Sequence, residues 1–235
     1  MNVIVCLHAP PPGPDGKRAL GRDDARALER ALALGDAAAG HQVTALLAGL
    51  SSEAGPLEAA LAAGADRAVR LAGDDLGNAD FHTLGQVLAA GIKRLGADLV
   101  LTGARSDDEG LGAVPASTAR QLGFVYVSGI EEIVRADGSA AGGGAVEVVV
   151  RGGGRKRRLR VTLPAVMSVT AGGPPAGAAR AAAPGGPEIE VLSLADPERT
   201  LVRRRTELVG RAEAAARAVE TAASAEAFAA ALRRR

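Results

Sequence analysis

The chain has 235 residues and 28 Lys and Arg against 27 Asp and Glu, a net charge of +1 at pH 7. That balance excludes the broad cationic footprint of a nucleic-acid binder, and an aromatic content of 2% (Phe81, Phe124, Tyr126, Phe228) excludes a base-stacking or carbohydrate platform. The single cysteine, Cys6, excludes an internal disulfide and a CxxC metal cluster, while His8, His41 and His82 stand at no zinc-ligand spacing.

The first element is Val3-Ile4-Val5-Cys6-Leu7, a continuous apolar run of the kind that forms a strand buried on both faces. No basic segment precedes it, and Pro10-Pro11-Pro12 follows too soon for a signal peptide. No later stretch approaches the ~20 apolar residues of a membrane span, so the expected location is cytoplasmic. The prolines keep residues 8–22 out of a helix. Asp23 and Asp24 then open one, with Leu28, Ala31, Leu32 and Leu34 as its apolar stripe and Gly40 as its stop.

Residues 42–47 read as the second strand, 53–63 as a helix and 67–71 as the third strand. Leu84, Val87, Leu88, Ile92 and Leu95 recur at helical spacing. A strand at 98–102, a helix at 113–122 and a strand at 124–127 complete the alternation, which predicts a doubly wound parallel sheet with right-handed crossovers. Residues 130–134, 145–151, 159–163 and 165–170 read as an antiparallel strand extension with Gly-rich turns between. The domain should therefore span 1–171, followed by a Gly/Pro/Ala linker at 172–187. Residues 188–235 form a C-terminal arm for docking a partner. Ser224 can cap a short terminal helix there, expected to carry Phe228 and Leu232 on one side. Arg203-Arg204-Arg205 in this arm reads either as a solvated charge run or as a docking patch.

In a parallel sheet, ligands bind where strand C-termini meet helix N-termini. A dinucleotide-binding dehydrogenase would place Gly-x-Gly-x-x-Gly after the first strand. His8-Ala9-Pro10-Pro11-Pro12-Gly13-Pro14 stands there instead, and proline has no N–H to offer a pyrophosphate. The better candidate is the turn from Gly103 to Gly110, at the end of Asp98-Leu99-Val100-Leu101-Thr102 and ahead of a helix. Arg105 there could grip an anion. Asp107, Asp108 and Glu109 oppose one unless they point away or meet a ribose, and a solvated acidic loop is the alternative. Cys6 reads as core and His8 as either loop or ligand contact. No nucleophile, base and orienting group come together, so the residues alone describe a nucleotide-binding or partner-binding α/β domain without catalytic chemistry of its own.

Several fragments, in order, resemble the β-subunit of electron-transfer flavoproteins. They are the first strand, the helix from Asp24 to Leu32, Leu61-Ala62-Ala63-Gly64-Ala65-Asp66-Arg67 (family Ala-Leu-Ala-Met-Gly-Ala-Asp-Arg), Asp98-Leu99-Val100-Leu101-Thr102-Gly103 (Asp-Leu-Val-Leu-x-Gly) and Leu163-Pro164-Ala165-Val166 (Leu-Pro-Ala-Val). The resemblance implies a Rossmann-like, adenine-nucleotide α-hydrolase-like fold and an α-subunit partner sharing one FAD. It further implies redox partners of the acyl-CoA-type or amine dehydrogenase class and a quinone reductase. It also implies a nucleotide in the β-subunit, AMP or a second FAD, contacting Cys6, Leu7, His8, Arg22, Ala48, Gly49, Gly103, Ala104, Arg105, Asp108, Glu109, Gly110, Ala113 and Val114. The chain departs from the family at Gly21-Arg22, where the family has Asn-Pro. It departs again at Gly103-Ala104-Arg105 (family Gly-Lys/Arg-Gln) and at Ala113-Val114-Pro115 (family Gln-Thr/Val-Gly). The competing readings are a free-standing adenine-nucleotide-binding regulator of the same fold, like universal stress proteins, and a ligand-free scaffold.

Overall fold

In the computed structural model, which describes residues 1–35, 40–73, 76, 79–107, 110–137, 144–152, 154–172 and 188–193, strands and helices alternate through the first half of the chain. The order is β1 (Asn2–Leu7), α1 (Arg22–Ala33), β2 (Gln42–Ala48), α2 (Gly55–Ala62), β3 (Arg67–Ala72), α3 (Phe81–Leu95), β4 (Leu99–Gly103) and α4 (Ala113–Leu122). Strands β5 (Val125–Asp137), β6 (Ala145–Gly152), β7 (Arg155–Thr162), β8 (Ala165–Val169) and β9 (Glu190–Ser193) follow. All join one nine-stranded sheet of order β7-β6-β5-β8-β4-β1-β2-β3-β9. From β5 to β9 across that order every pairing is parallel, and only the β5–β6 and β6–β7 pairings are antiparallel.

The central strand shows why its sequence is uninterrupted by polar residues. Side chains alternate across a strand, and in β1 Val3, Val5 and Leu7 enter the core beneath α1 and α2, with Leu28, Ala31, Leu47 and Leu57. Ile4 and Cys6 enter the opposite core with Val87, Leu88 and Ile92 of α3 and Ala119 of α4. Each fully buried aliphatic side chain of this kind stabilises the fold by about 1.5–3 kcal/mol relative to exposure. Helices α3 and α4 approach closely at Gly85, where a Cβ would collide with the Ser117 side chain. No helix among the described residues is long and apolar enough to cross a membrane.

Four expectations need correction. Residues 165–170 do not extend the sheet antiparallel: β8 inserts between β4 and β5, parallel to both. The segments expected at 124–127 and 130–134 are one strand, β5, whose register shifts between Val127 and Ile130 at the positive-φ residue Gly129. The helix expected at 53–63 begins at Gly55, after a 3-10 turn at Ser51–Glu53. The sheet is also not complete by Thr170, because Glu190–Ser193, at the start of the expected docking arm, pairs with β3 as its edge strand. There Arg67 donates from Nε and Nη2 to the two oxygens of Glu190 at 3.0 and 2.9 Å. Residues 173–187 and 194–235, including Arg203, Arg204, Arg205, Ser224, Phe228 and Leu232, lie outside the described residues, as do Asp108 and Glu109.

Candidate functional site

The chain passes to β2 on one side of β1 and later to β4 on the other, so the strand order reverses between β1 and β4. The C-terminal ends of β4, β1 and β2 lie side by side there, and the topology of open α/β sheets makes this the ligand crevice. Leu7 and His8 sit at the end of β1, Gly103 and Ala104 at the end of β4, and Ala48 and Gly49 at the end of β2.

One side chain joins the first two strand ends. Asp24, in the first turn of α1, accepts the His8 backbone N–H on Oδ2 at 2.8 Å and the Gly103 backbone N–H on Oδ1 at 2.9 Å. Hydrogen bonds to a charged acceptor contribute about 1.5–3 kcal/mol each and favour the carboxylate. Burial opposes them and prevails. Desolvation, with a smaller contribution from Asp107, raises the Asp24 pKa to about 6 against the two backbone donors and His8. Gly103 is required by this contact, since a Cβ there would run into Asp24 Oδ1 and come within 3.0 Å of the Asp24 backbone nitrogen.

The neighbouring carboxylates complete the clamp. Asp107 accepts the Arg22 N–H at 3.0 Å, satisfying a donor at the start of α1, and Asp23 accepts the Ala171 N–H at 2.8 Å just beyond β8. Asp23 and Asp24 thus do not cap the helix, as their position suggested. Gly21 occupies the N-cap without a side-chain bond, and the two aspartates reach back to the strand ends. Sequence reasoning treated Asp107 as a repellent loop charge and missed it as a cap from 85 residues away. Cys6 is buried beneath the crevice. Desolvation first, and the Asp24 charge second, push its thiol above its ordinary pKa, which keeps it protonated and unreactive.

At the end of β2, Gly49 accepts from Arg70 Nη1 at 3.1 Å, and Glu53 accepts the Leu50 N–H at 2.8 Å. Arg18 reaches across from the proline-rich loop, donating to the Pro10 carbonyl at 2.6 Å and pairing with Glu53 at 3.6 Å. At the end of β4, Ala104 donates to the Val169 carbonyl at 2.8 Å, and Gly110, with φ +65°, donates to Ser106 at 3.1 Å. This turn delivers the chain to α4, whose N-cap residue, Gly112, makes no side-chain cap. Pro115 lacks an N–H, so the first-turn donors left facing outward are those of Ala113 and Val114. Arg22 and Arg105 are exposed, and neither guanidinium forms an ion pair among the described residues.

The structure therefore brings Cys6, Leu7, His8, Gly103 and Ala104 together, sets Ala48 and Gly49 beside them, and leaves Arg22, Arg105 and Gly110 on the rim. Among the described residues no group of three or more His, Cys, Asp or Glu could hold a metal ion. The phosphate-binding capacity of the two helix starts differs. At α1 the Asp107 carboxylate takes the Arg22 N–H, and the buried Asp24 carboxylate takes the strand-end N–H groups of His8 and Gly103, so the negative charge gathered there opposes a phosphate. At α4 the Ala113 and Val114 amides, with Arg105 upstream, fit one.

A mostly parallel sheet flanked by helices, its strand order reversing between β1 and β4, defines an open doubly wound α/β protein. Within that class, the electron transfer flavoprotein domain family matches residues 15–197, and the chain belongs to that family. It is similar to the electron transfer flavoprotein subunit beta of Clostridium acetobutylicum, 34% identical over 152 residues that cover 59% of this chain and 58% of that one. It is also similar to the caffeyl-CoA reductase-Etf complex subunit CarD of Acetobacterium woodii (36% over 122 residues, 52% and 47%). A third relative is protein FixA of Azorhizobium caulinodans (34% over 119 residues, 48% and 42%). The chain thus spans about half the length of the curated relatives it matches, and within the family it is β-subunit-like.

Proposed function

We propose that this chain is the β-subunit of an electron-transfer flavoprotein, a carrier component that holds one FAD together with an α-subunit. In this reading it relays electrons from a dehydrogenase of the acyl-CoA or amine type to a quinone reductase. The observation that carries the reading is the β-subunit-like family membership. The flavin, when bound, supplies the redox chemistry. The chain's own part is to present a rigid sheet end. Asp24 fixes the β1 and β4 termini against α1, and the Ala113 and Val114 amides receive a nucleotide phosphate with Arg105 and Arg22 at the rim. His8, Ala48, Gly49, Gly103 and Gly110 line its approach, and Asp108 and Glu109 belong to the same loop.

Co-expression with a candidate α-subunit tests the assembly. A yellow 1:1 heterodimer is the expected product. A β-chain that elutes alone and flavin-free beside a folded α-subunit would sink the proposal in favour of a scaffold role.

A further inference from the structure

Strand β7, Arg155-Lys156-Arg157-Arg158-Leu159-Arg160-Val161-Thr162, ends the sheet with no neighbouring strand on its outer side among the described residues. Every residue in it except Val161 is exposed. With Arg151 of β6, this hairpin gathers six cations between residues 151 and 160 without one acid, on a chain whose net charge is +1. The register sorts them by face. Val146, Val148 and Val161 turn to the core, with Leu159 opposite Val148. The other face carries Glu147 opposite Arg160, Val149 opposite Arg158 and Arg151 opposite Lys156.

Compensation on that face is partial. Glu131 of β5 bonds Arg151 and lies 3.7 Å from Lys156, so a single carboxylate serves two cations, and Glu147 pairs with Arg160 at 3.6 Å. Arg158 on that face forms no ion pair among the described residues, nor do Arg157 and Arg155, which lie opposite Val150 and Gly152 on the face that carries Leu159. One or two charges suffice to guard an edge against unwanted pairing. A surplus of arginines, each a rigid fork matched to carboxylates, exceeds that need.

We propose that β7 is a docking edge for an extended acidic segment of a partner protein, which adds to the sheet as a further strand. Alternate residues of an edge strand turn their N–H and C=O groups outward, and a strand satisfies both, where a phosphate chain serves only the donors. Acidic side chains at every second position would meet Lys156, Arg158 and Arg160, and an apolar residue between them would cover Leu159. A second copy of this chain is a poor occupant, because β7 against β7 sets arginine near arginine. Nucleic acid is disfavoured because neither β6 nor β7 carries an aromatic side chain for a base to stack on. This inference stands independently of the flavoprotein reading.

The experiment titrates the full chain into a fluorescein-labelled ten-residue peptide alternating Glu with Val and Thr, with amide exchange of β7 followed in parallel. The expected results are saturable binding that weakens about tenfold between 50 and 200 mM salt, and slowed exchange in β7. Binding should also weaken at least about tenfold when alternate peptide nitrogens are methylated, which keeps the charge and removes the ladder donors. Arg157→Glu with Arg158→Glu should abolish binding. Arg158→Gln, with an unchanged urea midpoint as proof of folding, should weaken it about two- to fivefold, as loss of one partly exposed charge contact does. Equal affinity for the methylated peptide, unchanged β7 exchange, or tighter binding of a 20-nucleotide oligo(dT) or of phosphatidylserine vesicles would each overturn the proposal.

Discussion

Replacing Asp24 by asparagine tests whether a buried carboxylate joins the β1 and β4 ends against its own desolvation. The Asp24 pKa stands at about 6 in the folded protein, raised chiefly by burial, against about 3.9 in an unfolded chain. The folded state therefore keeps its proton to higher pH than the unfolded state, and the stability linked to this group falls as pH rises through about 6. A displacement of about two pH units corresponds to about 3 kcal/mol, of which about 2 kcal/mol falls between pH 4.5 and pH 7. An asparagine side chain cannot ionise, but its amide nitrogen would face one of the two backbone donors, at a uniform penalty of about 1–3 kcal/mol. Urea unfolding of both proteins at half-unit steps from pH 4.5 to 7.5 isolates the effect, because every other titrating group cancels in the difference. The wild-type advantage should shrink by about 2 kcal/mol across that range, leaving the two proteins nearly equal at pH 7. A difference that stays constant to within about 0.5 kcal/mol would show that Asp24 is ionised throughout and that its two donors outweigh burial.

Gly103→Ala drives a methyl into the Asp24 carboxylate and should destabilise the fold by about 1–3 kcal/mol, read from the urea midpoint. Combining it with Asp24→Asn should relieve little of that loss, since the Asp24 backbone is also in the way. Glu190→Gln removes the fork held by Arg67. Amide exchange at Val191 and Ser193 should accelerate while global stability moves by less than about 1 kcal/mol, because exposed pairs contribute little. An assembled heterodimer, denatured and chromatographed, should release less than one AMP per FAD, since Pro115 offers no N–H at the start of α4 and the Asp24 and Asp107 carboxylates repel a phosphate at the start of α1. Stoichiometric AMP would refute that, and two FAD would mean that the second site takes a flavin.

Strands β1 and β4 are legible because burial on both faces leaves an apolar run, β2 and β3 because theirs are broken only by Thr44 and Arg70, and α4 is legible to the residue because its pattern is bounded by Gly112 and Gly123. The position of β8 is not. A short turn at Leu163-Pro164 between two strand-like runs has the local pattern of a hairpin, and only the open sides of β4 and β5 reveal that Ala165–Val169 crosses over instead. β7 is legible only from Leu159, where apolar and polar residues alternate; its first half, Arg155-Lys156-Arg157-Arg158, lacks that alternation and takes its conformation from pairing with β6. β9 depends on a partner 123 residues away, beyond any local signal. In the crevice, the strand ends follow from the βα alternation. The reach of Asp24 does not, since a helix-opening aspartate has the same local sequence whether it caps its own helix or bridges two strands.

The insertion of β8 between β4 and β5 sets an order of events during synthesis. β4, whose Leu99, Val100 and Leu101 are fully buried in the finished protein, leaves the ribosome about sixty residues ahead of the segment that covers its outer side. Until residue 169 has emerged, the nascent chain carries an apolar strand with an open backbone edge, and β5 has no place in the sheet to occupy. Such an edge recruits other strands, including those of neighbouring nascent chains.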